Sequence, residues 1–161
     1  MITASEVRER VRMPDAIAAV ERAFLALHAG HVQPPVSVGI GVPDGTFHVK
    51  ACASASPEFA RLFVAKINSN FPGNRTCDGT PTIQGVVAVF DTANGRLRAI
   101  VDSPSITGLR TAATTAVAIR HLAPEGARAA TLVGCGALGR FHELARSRSH
   151  TIAQSRVLDV T

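Results

Sequence analysis

The 161-residue sequence predicts a mixed α/β chain: an N-terminal α+β part, then the opening of a parallel β–α–β unit. Three observations predict it. Alternating apolar stretches are joined by the hairpin dipeptides Asp44-Gly45 and Asn94-Gly95; two other stretches carry apolar residues every three to four positions; and after Ala127 the pattern switches to an unalternating apolar run followed by glycines.

The elements follow in order. Met13-Pro14-Asp15 opens a helix, because proline suits a first turn and an acid favours the positive end of the helix dipole; Ile17, Val20, Phe24 and Leu27 then repeat at helical spacing up to Gly30. Val36, Val38, Ile40 and Val42 alternate with Ser37, Gly39 and Gly41, the pattern of a half-buried strand, and Phe47 to Cys52 returns after Asp44-Gly45. Leu62 to Asn68 is a third strand with Lys66 and Asn68 on one face, and Phe71-Pro72-Gly73-Asn74 is a turn. Thr82 to Asp91 and Leu97 to Asp102 form a second hairpin. Ser103-Pro104-Ser105 ends the sheet, and Ile106, Leu109, Ala113, Ala116 and Val117 outline a helix running to Ala123-Pro124. Ala129 to Val133 reads as a parallel strand covered on both faces, the stretch with Phe141, Leu144, Ala145 and Arg148 as a helix, and Arg156 to Asp159 as another strand. The domain boundary falls at 126/127.

Composition bounds the function. Hydrophobic residues make up 46% and charged residues 18%, ordinary globular usage that excludes a disordered or collagen-like chain. No uncharged apolar run approaches the ~18 residues of a membrane span, and Met1 to Arg12 has no apolar signal-peptide core, so a soluble cytoplasmic protein is expected. Cys52, Cys77 and Cys135 are odd in number and widely spaced, which suits reduced thiols, and the six histidines lack metal-ligand spacing. The net charge of +5 comes from arginines spread along the chain, with Lys50 and Lys66 the only lysines. No basic cluster is interleaved with aromatics, so a nucleic-acid partner is not expected.

Gly134-x-Gly136-x-x-Gly139 is the strongest local signal, because it follows a strand, opens a helix and has Asp159 twenty residues after its last glycine. That context is a dinucleotide-binding (Rossmann-type) turn. Gly134 allows the tight turn, Gly136 the approach of backbone to a pyrophosphate, and Gly139 close helix packing. Asp159 can accept hydrogen bonds from ribose hydroxyls and repels a 2′-phosphate, which favours NAD over NADP. Lys66, within an apolar strand, reads either as an exposed strand-face lysine or as one paired with an anion. Arg110, early in an alanine-rich helix, reads either as solvated or as an anion clamp.

Together, the blocks AKINSNFPGN (65–74), GTPTIQGVVAVFD (79–91), LRTAATTAVA (109–118) and GCGALGR (134–140) resemble the ornithine cyclodeaminase and mu-crystallin family over nearly the whole chain. The resemblance implies an NAD(P)-dependent enzyme acting on an amino acid or cyclic imine. In it Lys66 is catalytic at the reacting carbon, Thr82 and Arg110 contact cofactor, Ala137 and Leu138 meet the pyrophosphate, and Asp159 binds the ribose. It also implies oxidation of the substrate Cα to an imine, with ring closure and loss of ammonia in the cyclodeaminase case, and a homodimer formed through the N-terminal sheet. The alternative on the mu-crystallin side is a non-catalytic dimerising or small-molecule-binding protein.

Three positions depart from the family pattern. Val36 stands where many members have a carboxylate-gripping arginine, with Lys50 a candidate replacement. Leu138 stands where glutamine is frequent. The sequence also stops inside the nucleotide-binding domain (127–161), before the family's acidic proton donor, so the 161 residues are expected to bind NAD poorly and to be inactive.

Overall fold

A computed structural model describes residues 1–54, 56, 60–134, 136–147 and 154–158. Its elements are α1 (Ala4–Arg10), α2 (Met13–His28), β1 (Val36–Val42), β2 (Gly45–Ser54), β3 (Leu62–Asn70), α3 (Asn74–Cys77), β4 (Ile83–Asp91), β5 (Leu97–Asp102), α4 (Ser103–Leu122), β6 (Ala129–Val133), α5 (Ala137–Ser147) and β7 (Gln154–Leu158). The fold is mixed α/β. The chain divides into two compact units, residues 1–7 with 25–106, and 8–24 with 107–161.

The first unit holds a five-stranded antiparallel meander in the order β1-β2-β3-β4-β5. Each hairpin turn sets its own register: Val42 pairs with Gly45, which places Ser37 opposite Lys50. The Asn94-Gly95 turn uses the positive φ of Gly95 (+71°) and joins β4 to β5 through a register shift at Val89/Phe90. Alternation gives the sheet two unlike faces. Val36, Val38, Ile40, Phe47, Phe63 and Ile67 leave one face apolar and exposed; the other carries the buried Ser54, Asn68 and Val87. Beyond β5, Ile2 adds a parallel bridge to Val101, donating from its N–H to the Ile100 carbonyl at 2.7 Å.

In the second unit β6 and β7 run parallel, and α5 lies between them in sequence. Its core is built from small side chains: Ala112, Ala113 and Ala116 of α4 are fully buried, with Ala145 of α5 nearly so. Gly108 lets α4 and α5 approach, since a Cβ there would fall 2.4 Å from the Phe141 ring.

Four details differ from the sequence expectation. Helix α1 was not anticipated; it is nucleated by a capping box in which the Thr3 N–H donates to Glu6 Oε2 at 2.8 Å and the Glu6 N–H to Thr3 Oγ1 at 3.4 Å. The 71–74 turn runs on into the single helical turn α3. Ser103 to Ser105 do not merely end the sheet but form the first turn of α4, because Asp102 Oδ2 accepts the Ser105 N–H at 2.9 Å and Pro104 is tolerated in a first turn. β6 alternates between exposed and half-buried residues instead of being covered on both faces, since it has a single strand neighbour among the described residues. The expected helical position Arg148 lies outside the described residues.

Candidate functional site

Two groups of residues hold the chemistry that the sequence singles out, one in each unit. In the first unit, Lys66 sits half-buried at the middle of β3, directly opposite Lys50 of β2 and Val87 of β4. Directly opposed residues of an antiparallel pair point to the same face, so both lysines and Val87 share it. One row along, Asn68 lies between His48 and Gly85. The buried Asn68 is fixed by Ser103, whose Oγ donates to its Oδ1 at 2.5 Å. Gly85 makes room for this amide: a Cβ there would fall 2.6 Å from Asn68 Oδ1 and 2.1 Å from the Ile67 carbonyl oxygen.

Thr82 is half-buried just before β4, where its carbonyl accepts the Phe71 N–H at 2.9 Å and so extends the β3–β4 ladder past Asn70. It is five residues from Val87, about 17 Å at strand rise, so Thr82 stands beyond one end of β4 while Lys66 lies at the middle of the sheet. The preceding turn is tied down by Asn74 Nδ2, which donates to the Pro81 carbonyl at 3.3 Å, and by Asp78, whose Oδ1 accepts from both the N–H and the hydroxyl of Thr80. Those two bonds hold the Asp78 carboxyl below the ordinary carboxylate range, the hydroxyl bond contributing most.

In the second unit, Arg110 lies exposed on α4. The glycine loop runs from β6 into α5. Gly134 has a φ of +92°, a conformation suited to glycine, and donates its N–H to the Leu158 carbonyl at 2.7 Å, continuing the β6–β7 ladder. A Cβ on Gly139 would fall 2.4 Å from the Gly134 carbonyl oxygen, so only glycine lets the first turn of α5 close onto the loop. Gly136, by contrast, has nothing within 4 Å of where its Cβ would be. Space therefore stands open beside its backbone, ahead of Ala137 and Leu138, whose N–H groups belong to the unpaired first turn of α5. This arrangement fits a pyrophosphate. Asp159 and Cys135 lie outside the described residues.

Among the described residues no group of three or more His, Cys, Asp or Glu is arranged to hold a metal, and no helix is long and apolar enough to cross a membrane. Sequence reasoning gave little weight to Lys50 and none to His48. The signal that finds them is the register of the β1–β2 hairpin, which carries both onto the Lys66 face.

Comparison with known proteins gives a consistent result. The sequence profile of the ornithine cyclodeaminase/mu-crystallin family matches residues 1–161. A Delta(1)-pyrroline-2-carboxylate reductase of Paracoccus denitrificans (strain Pd 1222) is 36% identical over 114 residues, 69% of this chain and 34% of that protein. Among solved structures, an archaeal alanine dehydrogenase dimer with bound NAD superposes with a TM-score of 0.89 at 26% identity, covering 98% of this chain and 48% of that one. The Thermococcus litoralis Delta(1)-pyrroline-2-carboxylate reductase in complex with NADH and L-proline gives 0.88 at 26% identity, covering 99% and 49%. The chain thus spans between a third and a half of the length of these relatives.

Proposed function

This chain belongs to the ornithine cyclodeaminase/mu-crystallin family, and from that premise we propose that it serves a nicotinamide-dependent oxidoreduction or deaminating cyclisation of a small amino acid or cyclic imine. The observation that carries the reading is the β6–loop–α5–β7 unit, with open space beside Gly136 and glycine required at Gly139. NAD is the proposed cofactor, as in the alanine dehydrogenase and reductase complexes above. When bound, the dinucleotide supplies the hydride acceptor or donor.

The chain's own residues do the rest. Gly134, Gly136 and Gly139 shape the loop, and the N–H groups of Ala137 and Leu138 face the phosphates. Asp159 accepts hydrogen bonds from the ribose, while Thr82 and Arg110 contact the cofactor. The Lys66 ammonium binds the substrate and holds or releases a proton at Nζ beside the reacting carbon. In this division residues 1–126 hold substrate and form a homodimer through the exposed apolar sheet face, and residues 127–161 hold the nucleotide. A non-catalytic binding protein is the second reading, favoured by Val36, which leaves the edge strand β1 without a cation.

The test is calorimetric titration of NAD+ and NADP+ into the protein, beside a Gly136→Leu variant that fills the open space. NAD+ binding tighter than NADP+, and lost in the variant, supports the reading; no affinity for either dinucleotide overturns it.

A further inference from the structure

Asn68 is only 7% exposed, and its amide is fixed at one end. Its Oδ1 accepts the Ser103 hydroxyl at 2.5 Å and lies over Gly85, where a Cβ would come within 2.6 Å of it. Ser103 is itself fully buried at the start of α4, so this donor cannot swing out to solvent. Nδ2 is the other arm of the planar amide and is therefore turned away from Gly85. It has no hydrogen-bond partner among the described residues. No unpartnered side-chain nitrogen or oxygen among them is sealed from solvent, so Nδ2 is reached from outside. A deeply set side chain thus keeps one open atom, and that atom is a donor. The other neighbour in its row leaves it uncovered: the His48 ring leans toward β1, where a Cβ on Gly39 would stand 3.5 Å from Nδ1. Lys66 lies two positions away on the same strand face, about 7 Å at strand rise. On the far side of Lys66 the corresponding row is Cys52, Val64 and Val89, which holds no strong hydrogen-bond donor.

We infer that Asn68 reads the side chain of the substrate through Nδ2, and that this side chain ends in an oxygen acceptor, a second carboxylate. The Ser103 hydroxyl takes the amide oxygen, so only N–H is left to face the site. A side-chain ammonium needs an acceptor and finds none on Asn68; an apolar side chain covers Nδ2 without pairing it, which costs the desolvation of a polar group. A carboxylate accepts from Nδ2 in a charge-assisted hydrogen bond. Asn68 is thus a specificity-determining residue that favours dicarboxylic over diamino and apolar substrates. Ser103 acts through Asn68 and is a positioning residue. The inference rests on the amino-acid or imino-acid reading above and deepens it by naming the substrate's side chain.

The experiment titrates matched amino acids calorimetrically into the protein, with and without NADH, which cannot oxidise them. One set is L-aspartate, L-2,4-diaminobutyrate and L-2-aminobutyrate; a longer set is L-glutamate, L-ornithine and L-norvaline. In at least one set the acid is expected to bind about tenfold or more tighter than its diamino and apolar counterparts, the scale of one charge-assisted hydrogen bond. Asn68→Asp keeps an acceptor for Ser103 but replaces the donor with a negative charge, so the diamino acid becomes the tightest of that set. Ser103→Ala frees the amide to turn its oxygen outward, and the ratio of acid to diamino affinity falls severalfold while the apolar amino acid binds as before. A merely structural Ser103 would weaken all three alike and leave the ratio intact. Each variant is read separately, so loss of fold in one, seen by circular dichroism, leaves the other and the wild-type ratios decisive. A wild type that binds the diamino or apolar amino acid as tightly as the acid in both sets overturns the inference, as does the wild-type order in Asn68→Asp or an unchanged ratio in Ser103→Ala. Absence of binding to either dinucleotide overturns the proposed function instead, and the ratios measured without NADH then decide this inference by themselves.

Discussion

Gly85 on β4 and Gly39 on β1 lie in the same sheet row, yet they answer to different constraints. A Cβ on Gly85 would overlap the Ile67 carbonyl oxygen at 2.1 Å, and backbone cannot swing aside as a side-chain tip can. Gly85→Ala therefore forces β3 and β4 apart at the Asn68 row, and thermal unfolding is expected to show a loss of about 1–3 kcal/mol, the usual range for overpacking. Gly39→Ala is the control: its Cβ would meet only the His48 ring, at an ordinary 3.5 Å from Nδ1 and 3.8 Å from Cε1, and the melting temperature is expected to hold or rise slightly. None of this is visible in the sequence, where the two glycines look alike. The glycine loop was more legible, because the spacing of Gly134, Gly136 and Gly139 already carries the steric demand that the 2.4 Å approach at Gly139 expresses. Lys50 was legible as a cation but not as the neighbour of Lys66, since a cross-strand partner is set by two hairpin registers together.

Within the second unit, α2 and α4 are joined by a polar clasp. Glu21 accepts from Arg120 Nη1 at 2.8 Å and from His121 Nε2 at 2.7 Å. The His121 hydrogen bond foremost holds the Glu21 carboxyl below its ordinary value of 4.5; desolvation, next in size, opposes it, and the Arg120 charge and hydrogen bond add to the lowering. A depressed folded pKa means that the unfolded chain takes up the proton first. The contribution is fully present above 4.5 and disappears as pH falls through the lowered value. Glu21→Gln should therefore lower the melting temperature at pH 7, with the gap to wild type closing under acid; a gap that persists there would contradict the clasp.

Element boundaries were legible wherever a pattern ran long enough. The β1–β2 and β4–β5 hairpins followed from Asp44-Gly45, Asn94-Gly95 and apolar alternation. Helix α1 escaped because seven mostly polar residues give no apolar stripe, although Thr3-x-x-Glu6 was there to be read as its start. The four residues of α3 are too few for any period to show.

At the scale of the whole molecule, the proposed dimer rests on the exposed apolar sheet face. Val36, Val38 and Ile40 of β1 are 66%, 49% and 55% exposed, and they continue across Phe47 to Ile67 as one patch of a kind that isolated soluble chains rarely leave open. A second copy presents the same patch, which suits a two-fold interface. Light scattering after gel filtration is expected to give twice the chain mass, and Ile40→Asp to give a single chain with its strand content retained by circular dichroism. A monomeric wild type would remove the dimer from the proposed function.

The meander has a consequence for how the polypeptide reaches its native state. Each of β1 to β5 pairs with the strand next to it in sequence, so every ladder can zip as soon as its second strand leaves the ribosome, with short loops to close. The bridge from Ile2 to Val101 is the exception, because its partner is synthesised last of all the sheet. The N-terminal tip must wait, and its bonds to Ile100 and Asp102 lock a platform that is otherwise already assembled.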